Sequence, residues 1–471
     1  MIFVLARRSL LAHPVRSAVL AGGFGLGVAV MASLLGIGEV ILAQARAPAL
    51  RGGGDVVVVG ATGPVGSARY VLSSVLGTPP LASRVAAASP IQRRALFLVR
   101  GGRVVPIRAR GGVPSLDRTM GDRETGPIAA WTDTPADAAW AAPEAGAVLR
   151  AMDRFHPIPD VPARASSWAE WLYFNGQSAE TRFYLTFMIG PARADGKRGA
   201  GVRLQLEQRG RMRSFSEGDE VDAARVLADA PDLVIGKSRV RLDGRQYRVS
   251  VDLPGDERDT GRVTGELTLE AVPGRSMPPF TIRGAGGWAS GYVVPVMSGA
   301  LAGRLTADGH PIAVDGGTGY HDHNWGFWEG VTWQWGQVQH DGLSFIYGRV
   351  HPPADAADPE RMPGFLGVLG REGPVGYSTS VTIEETSDPG SARPRRIVVK
   401  GRGPSLAVTM ELDVEHAVTT RMPARAFGGG MDFYQLRARY RVSGQAGGRR
   451  LHFEAPGAAE TFHGRAAPPP G

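Results

Sequence analysis

The chain has 471 residues, of which 43% are hydrophobic and 21% charged, so an entirely disordered protein is excluded. Its 65 glycines and 35 prolines follow no G-X-Y repeat, which excludes a collagen-like protein and indicates many turns. The net charge of +8 comes without a dense basic run among aromatic residues, so nucleic acid is not an expected partner, and the absence of cysteine excludes disulfides and thiol catalysis.

The amino-terminal segment predicts a membrane anchor. Residues 17–38 are 22 consecutive uncharged residues, and a helix of that length reaches about 33 Å, enough to cross a bilayer. Arginines precede this run and favour a cytoplasmic amino terminus. We predict a cytoplasmic segment (1–16), one transmembrane helix (17–43) in the inner membrane, and export of the remainder to the periplasm or cell exterior. A cleaved signal peptide and a twin-arginine signal at Arg7-Arg8 are the alternatives.

The same segment carries a loose family resemblance. Residues 8–39 resemble the first helix of ABC-transporter permeases of the macrolide-exporter and lipoprotein-releasing type. The resemblance implies either ABC-transporter components as partners or a shared ancestry with them. It does not imply transport activity, because no second apolar run is long enough to span a membrane.

Residues 44–156 form a predicted membrane-proximal region of mixed character. Within it, Asp55–Gly66 reads as a strand followed by a glycine turn, which is how a dinucleotide-binding motif begins. Pro64 lies inside that turn and no alternating helices and strands follow, so a structural turn is favoured over a nucleotide site. No cofactor is expected.

From about residue 157 the chain changes to short alternating segments. Residues 408–414 and 436–442 each alternate apolar and polar side chains with period two, which is typical of strands with one buried face. Asp243-Gly244 and Asp308-Gly309 lie between such segments and predict type I′ hairpin turns. We therefore predict an all-β body of antiparallel strands.

A loose internal sequence repeat divides this β-rich region into two parts. Trp168-Ala-Glu-Trp-Leu-Tyr173 and the strand after it recur in looser form at Trp333-Gln-Trp-Gly336. Two units of about 150 residues have the size of a lipocalin-like barrel. We predict one such domain at 157–330, a second at 331–465, and a proline-rich tail at 466–471.

The densest group of chemically active side chains lies at residues 319–328. On a strand, Tyr320, Asp322 and Asn324 face one side, while His321, His323 and Trp325 face the other. A carboxyl group among aromatic rings loses hydration, which raises its pKa and keeps it protonated as a proton donor. Aromatic faces also stabilise a developing carbocation.

Two plainer interpretations stay open. Aromatic residues at strand junctions commonly fill a barrel rather than form a cation cage. His321 and His323, with His310 or His340, have ligand types suited to a divalent metal, although no third ligand stands out, and we predict none.

At these residues the sequence resembles a known superfamily. Residues 170–176 (EWLYFNG) are similar to an E-W-W-Y-x-x-G motif, and residues 320–326 (YHDHNWG) to a D-H-x-W-G motif, of the carotenoid 1,2-hydratase (hydroxyneurosporene synthase) and AttH-like superfamily. The resemblance implies two lipocalin-like barrels with a hydrophobic cleft. For the hydratase branch it implies an acid-catalysed step by a Tyr-x-Asp pair, here Tyr320 and Asp322. Leu172 replaces a motif tryptophan, and Asp322-His323 fits the AttH-like branch better.

Two functions are predicted from these residues, and a purely structural scaffold is the third interpretation, favoured if no apolar pocket exists. In the first, the protein binds a long apolar unsaturated ligand (lipid, isoprenoid or polyketide) and catalyses its hydration, isomerisation or cyclisation, with Asp322 as general acid and Tyr320 orienting it. In the second, it is a non-enzymatic lipid-binding accessory protein of an ABC transporter. The predicted ligand-binding residues are shared by both: Trp171, Tyr173, Tyr292, His323, Asn324, Trp325, Trp333 and Trp335.

Overall fold

The structure is a computed structural model that describes part of the chain. The described residues are 15, 56–58, 68–77, 83–101, 103–121, 131–141, 144–178, 181–256, 259–272, 274–388, 392–422 and 430–464. The predicted transmembrane helix at 17–43, the glycine turn at 60–66 and the tail at 466–471 lie outside them. Among the helices that are described, none is long and apolar enough to span a bilayer.

By its internal contacts the chain divides into two units, residues 1–64 with 87–141, and residues 65–86 with 142–471. The first unit contains a hairpin in which strand β1 (Gln92–Arg100) pairs antiparallel with β2 (Arg103–Gly111). Two short helices follow, α2 (Pro114–Thr119) and α3 (Pro135–Ala141).

Among the described residues, the second unit contains three α-helices and all the remaining strands. The helices are α1 (Ala68–Gly77), α4 (Ala145–Met152) and α5 (Ala223–Asp229). The carboxylate of Glu144 accepts hydrogen bonds from the first backbone N–H groups of α4, which satisfies donors that have no partner within the helix. Apolar side chains of α4 join the core of the first sheet, and Asp153 follows directly at the carboxyl end of the helix.

The first large sheet is antiparallel, and a path of ten strands runs through it in the order β6-β5-β4-β3-β14-β12-β10-β9-β8-β7, with β11 and β13 pairing with β12. These strands are β3 (Trp168–Ser178), β4 (Thr181–Ala192), β5 (Lys197–Gln208), β6 (Arg211–Asp222), β7 (Leu233–Ile235), β8 (Ser238–Asp243), β9 (Gln246–Pro254), β10 (Arg262–Glu270), β11 (Met277–Arg283), β12 (Ala289–Ala307), β13 (His310–Ala313) and β14 (Gly317–Phe327). Its ends approach one another, because Phe215 forms a bridge to Gly255 and the Gly236 N–H donates to Asp219. The sheet is therefore a nearly closed barrel.

The second large sheet is also antiparallel, with nine strands in the order β18-β17-β16-β15-β23-β22-β21-β20-β19. They are β15 (Thr332–His340), β16 (Leu343–His351), β17 (Phe365–Gly370), β18 (Gly373–Ser378), β19 (Ser380–Ser387), β20 (Pro394–Gly403), β21 (Leu406–Met422), β22 (Met431–Ala446) and β23 (Arg449–Gly464). The Ser378 hydroxyl on β18 donates to the Arg402 carbonyl on β20, so this sheet also nearly closes. The predicted pair of antiparallel barrels is confirmed, and five short helices make the described part nearly rather than wholly β.

The alternating pattern of the sequence corresponds to the two faces of each strand. Leu436, Ala438, Tyr440 and Val442 on β22 are all buried in the second barrel, as period two requires. The Asp308-Gly309 turn has positive φ at both residues, as a type I′ turn requires. The other predicted turn was misplaced by one residue: Asp243 pairs with Gln246, so the loop is Gly244-Arg245. Only Gly244 has positive φ there, which fits type II′.

Gly291 on β12 has to be glycine because the indole ring of Trp325 approaches its backbone closely. A Cβ atom added to Gly291 would lie 2.0 Å from Cε2 of Trp325 on the neighbouring strand. We expect Gly291→Ala to lower the free energy of unfolding by about 1–3 kcal/mol, because a packed indole has to move. Denaturant unfolding measures this, with Gly218→Ala as the control, since the added Cβ there is 3.8 Å from its nearest neighbour. Equal stability of the two variants contradicts the prediction.

Candidate functional site

Both barrels contribute to a cavity of about 670 Å³. The first sheet supplies residues of β3, β4, β12 and β14, and the second supplies residues of β15, β22 and β23. Aromatic side chains make up much of its wall: Trp171, Tyr173, Tyr184, Phe280, Tyr292, Trp328, Trp333, Trp335, Phe365, Tyr377 and Phe433. A largely apolar cavity with a few polar groups is typical of a binding site for an apolar molecule.

Asp322 is a buried carboxyl group in this wall. It is 3% exposed and lies on β14. Its Oδ2 accepts from the Tyr320 hydroxyl at 2.8 Å, and its Oδ1 accepts from the Asn324 amide at 2.8 Å. Burial raises the pKa of Asp322 well above its ordinary value, although the hydrogen bond from Tyr320 opposes the rise. Asp322 is therefore a weaker acid than an exposed aspartate, and a larger fraction of it is protonated at a given pH.

A chain of hydrogen bonds supports this acid. The Trp335 indole N–H donates to the Tyr292 hydroxyl at 3.0 Å, and the Tyr292 and Tyr320 hydroxyls are 2.6 Å apart. The Tyr320 hydroxyl has one proton, which it donates in the hydrogen bond to Asp322. Tyr320 therefore accepts a hydrogen bond from the Tyr292 hydroxyl. All donors thus point in one direction, from the second barrel towards Asp322. The chain fixes the orientation of the carboxyl group.

The structure brings most of the predicted site residues together. The predicted ligand-binding residues that line the cavity with Asp322 are Trp171, Tyr173, Tyr292, Asn324, Trp333 and Trp335. Tyr320 lies behind Asp322 and contacts it through the hydrogen bond. His323 and Trp325 are not among the lining residues, because alternation along β14 turns them to the other face of the strand, into the core of the first barrel.

Glu460 is a second acid of the cavity that the sequence analysis did not identify. It lies on β23 of the second barrel, and its Oε2 accepts from the Trp333 indole N–H at 2.9 Å. Burial raises the pKa of Glu460 to about 7, with the hydrogen bond from Trp333 opposing the rise. Its signal in the sequence is a lone acid in the otherwise uncharged run 455–462.

The opposite face of β14 carries a separate buried cluster of charged groups. Asp153 and Glu170, both wholly buried, lie on either side of His323, whose Nδ1 donates to Asp153 at 2.8 Å and whose Nε2 donates to Glu170 at 3.0 Å. His321 and Tyr247 also hydrogen-bond to Asp153. Burial alone lowers the pKa of His323, but the hydrogen bonds to the two carboxylates outweigh it and raise that pKa to about 9. His323 is thus an imidazolium between two carboxylates.

Three of these groups have the ligand types of a metal site. The ligand atoms of His156, Glu170 and His323 all lie within 4.8 Å of one another. Each is already engaged, since His156 Nδ1 and His323 Nε2 both hydrogen-bond to Glu170 at 2.7 and 3.0 Å. The third ligands considered from the sequence lie elsewhere: His310 is exposed on β13, and His340 stacks on a phenylalanine of the second barrel. The donor set fits an ion pair without further ligands.

Comparison with known proteins adds a likeness in fold. No family model matches the sequence, and no curated protein matches it significantly. A protein described as AttH from Nitrosomonas europaea aligns at 17% identity over 63% of this chain and 92% of its own, with a TM-score of 0.44. Kievitone hydratase from Nectria haematococca aligns at 13% identity over 64% and 92%, with a TM-score of 0.41. CghA aligns at 14% over 63% and 89%, with a TM-score of 0.42. Similarities at this level carry no conclusion about activity.

Proposed function

We propose that the cavity binds a long apolar unsaturated molecule and that Asp322 protonates one of its C=C bonds. The observation that carries this proposal is a buried carboxyl group in an aromatic wall, with both its oxygens fixed by donors and its pKa raised by burial. A carboxyl group with a raised pKa stays protonated to higher pH. It therefore keeps a proton that it can deliver to a weak base such as an alkene carbon.

The wall suits the intermediate that follows. Protonation of an alkene leaves a carbocation, and the negative faces of aromatic rings attract a cation. Indole rings of Trp171, Trp333 and Trp335 line the same cavity as Asp322. Attack by water completes a hydration, and loss of a proton elsewhere completes an isomerisation or a cyclisation. The two motifs at 170–176 and 320–326 support placing the chain with AttH-like and hydratase-like proteins.

A second candidate function is ligand binding without chemistry. The observation in its favour is that the aromatic lining alone suffices to hold an apolar molecule. In this case the protein is a lipid-binding accessory protein of an ABC transporter, exported and anchored through residues 17–43. The partner and the anchor rest on the permease-like sequence of residues 8–39.

Deuterium labelling separates the two functions. Full-length protein is incubated in D₂O with three unsaturated probes, farnesol, squalene and oleic acid, and the recovered molecules are analysed by mass spectrometry. Carbon-bound deuterium in a probe or its product supports the acid function. Binding of the probes without any label overturns the acid function in favour of the accessory role.

Filling the cavity is expected to prevent binding in either case. Thr186 on β4 lines the cavity, and Thr186→Trp places an indole inside it. We expect the affinity for the apolar fluorophore N-phenyl-1-naphthylamine to fall at least about tenfold, because buried ligand surface is lost. Thr264→Trp, at an exposed position on β10, is the control. Unchanged affinity in Thr186→Trp shows that the fluorophore binds elsewhere and contradicts the assignment of this cavity.

A further inference from the structure

The cavity contains two acids from two different sheets, a buried aspartate and a partly buried glutamate. Asp322 comes from β14 of the first barrel and Glu460 from β23 of the second, and both line the same space. Trp335, which donates to Tyr292 in the hydrogen-bond chain behind Asp322, pairs with Glu460 across β15 and β23. Neighbouring groups therefore hold the two acids. Among the described residues, no hydrogen bond joins Asp322 directly to Glu460.

Burial raises the pKa values of both acids. The pKa of Asp322 lies well above its ordinary value, and that of Glu460 is about 7, so a large fraction of Glu460 is ionised at neutral pH. Trp333 donates to Glu460, and an ionised Glu460 raises the pKa of Asp322 further by repulsion. Two carboxyl groups with separated pKa values are how one site provides an acid and a base together.

The groups around Glu460 are mostly uncharged at neutral pH. Tyr173 and Gln435 hydrogen-bond to it together with Trp333. The other charged or titratable groups near it or elsewhere on the cavity wall are Tyr184, Tyr292, Asp322, Tyr347, Tyr377, Arg203, Glu217 and Arg349. The charge of Glu460 is therefore set mainly by burial and by the indole donor.

We infer that Glu460 is the second catalytic carboxyl group, a general base that removes the proton the substrate loses after Asp322 has protonated it. The inference rests on the proposed acid function. In a hydration, the Asp322 proton bonds to one alkene carbon through the π electrons, and the other carbon becomes a cation. The oxygen of a water molecule bonds to that carbon, and Glu460 takes the proton that this water loses.

In an isomerisation or cyclisation, Glu460 instead takes a proton from a carbon next to the cation, and the electrons of that C–H bond form the new C=C bond. Either way, Asp322 loses one proton and Glu460 gains one. Water in the cavity returns the proton from Glu460 to Asp322, so both acids are restored and no other reactant than water is needed.

Glu460→Gln tests this role because it removes the base and keeps the shape. The same D₂O assay separates two quantities, deuterium in the recovered probe and the amount of new product. Without a base, the cation returns its proton to Asp322, so we expect labelling of the recovered probe to continue while product falls about 10²-fold or more. Glu454→Gln, an exposed position on the same strand, is expected to leave both quantities unchanged.

The pH dependence gives a second readout. In the wild type, product formation is expected to rise as pH increases through about 7, because Glu460 has to be ionised. This rise disappears in Glu460→Gln, whose binding of N-phenyl-1-naphthylamine verifies that the cavity is intact. Unchanged product yield and an unchanged pH profile in Glu460→Gln overturn the role of Glu460 alone. Wild-type protein that never labels a probe overturns the acid function itself, and this inference with it.

Discussion

Asp322→Asn protein is expected to label unsaturated probes about 10²- to 10⁴-fold more slowly than the wild type, the range that a positioned general acid contributes. The amide has the shape of the neutral acid but has no proton acidic enough to transfer. Its oxygen still accepts from Tyr320, and rotation of the Asn324 amide presents an oxygen to the new N–H group. Transfer of deuterium from D₂O to carbon is the measurement.

Controls distinguish lost chemistry from lost structure. Asp322→Asn is expected to bind N-phenyl-1-naphthylamine as the wild type does, because the aromatic wall is unchanged. Asp243→Asn, an exposed aspartate in a hairpin of the same barrel, is expected to label at the wild-type rate. If Asp322→Asn labels as fast as Asp243→Asn, Asp322 is not the proton donor.

His323→Ala is expected to destabilise the fold by about 3–5 kcal/mol, the range measured when one partner of a buried ion pair is removed. The substitution leaves Asp153 and Glu170 buried without the cation between them. The free energy of unfolding from denaturant titration is the measurement, and His310→Ala, an exposed histidine of the same barrel, is the control. Similar stability of the two variants would falsify the view that the buried cluster holds the first barrel together.

The contribution of His323 also depends on pH with a definite sign. Its pKa rises from 6.5 to about 9 on folding, which corresponds to about 3 kcal/mol of stability. Because the folded pKa is the higher one, this stability is fully present below pH 6.5 and is lost as pH rises through about 9. The difference in unfolding free energy between wild type and His323→Ala should therefore shrink on going from about pH 6 to about pH 9.5.

The β-strands and the cavity-facing side of β14 could be predicted from the sequence, because both depend on local periodicity. Period two along residues 320–325 separates Asp322 and Asn324 from His323 and Trp325, and the structure has this separation. The assignment of His323 and Trp325 to ligand binding ignored that separation and followed the motif instead. The aromatic content of the segment correctly indicated a desolvated carboxyl group at Asp322.

The partners from distant parts of the chain could not be predicted in this way. Glu460 is 138 positions from Asp322, and Asp153 is 170 positions from His323. Their proximity follows from which strands pair and how the two sheets pack. Neither strand pairing nor sheet packing produces a periodic pattern in the sequence around Glu460 or Asp153. A charged residue inside an apolar run, such as Glu460 within 455–462, is the only local sign that a strand brings a polar group inward.

The seam between the barrels has a consequence for how the protein can diverge. Polar contacts such as Gln337 to Asn175 and Gln435 to Tyr173 join strands of one barrel to strands of the other. Asp322 and Glu460 lie on strands of different barrels, so their spacing depends on how the two barrels pack along this seam. If Asp322 and Glu460 act as proposed, substitutions confined to the seam are expected to alter which carbon atoms of a bound molecule meet each carboxyl group, and so to change the product while both acids are retained.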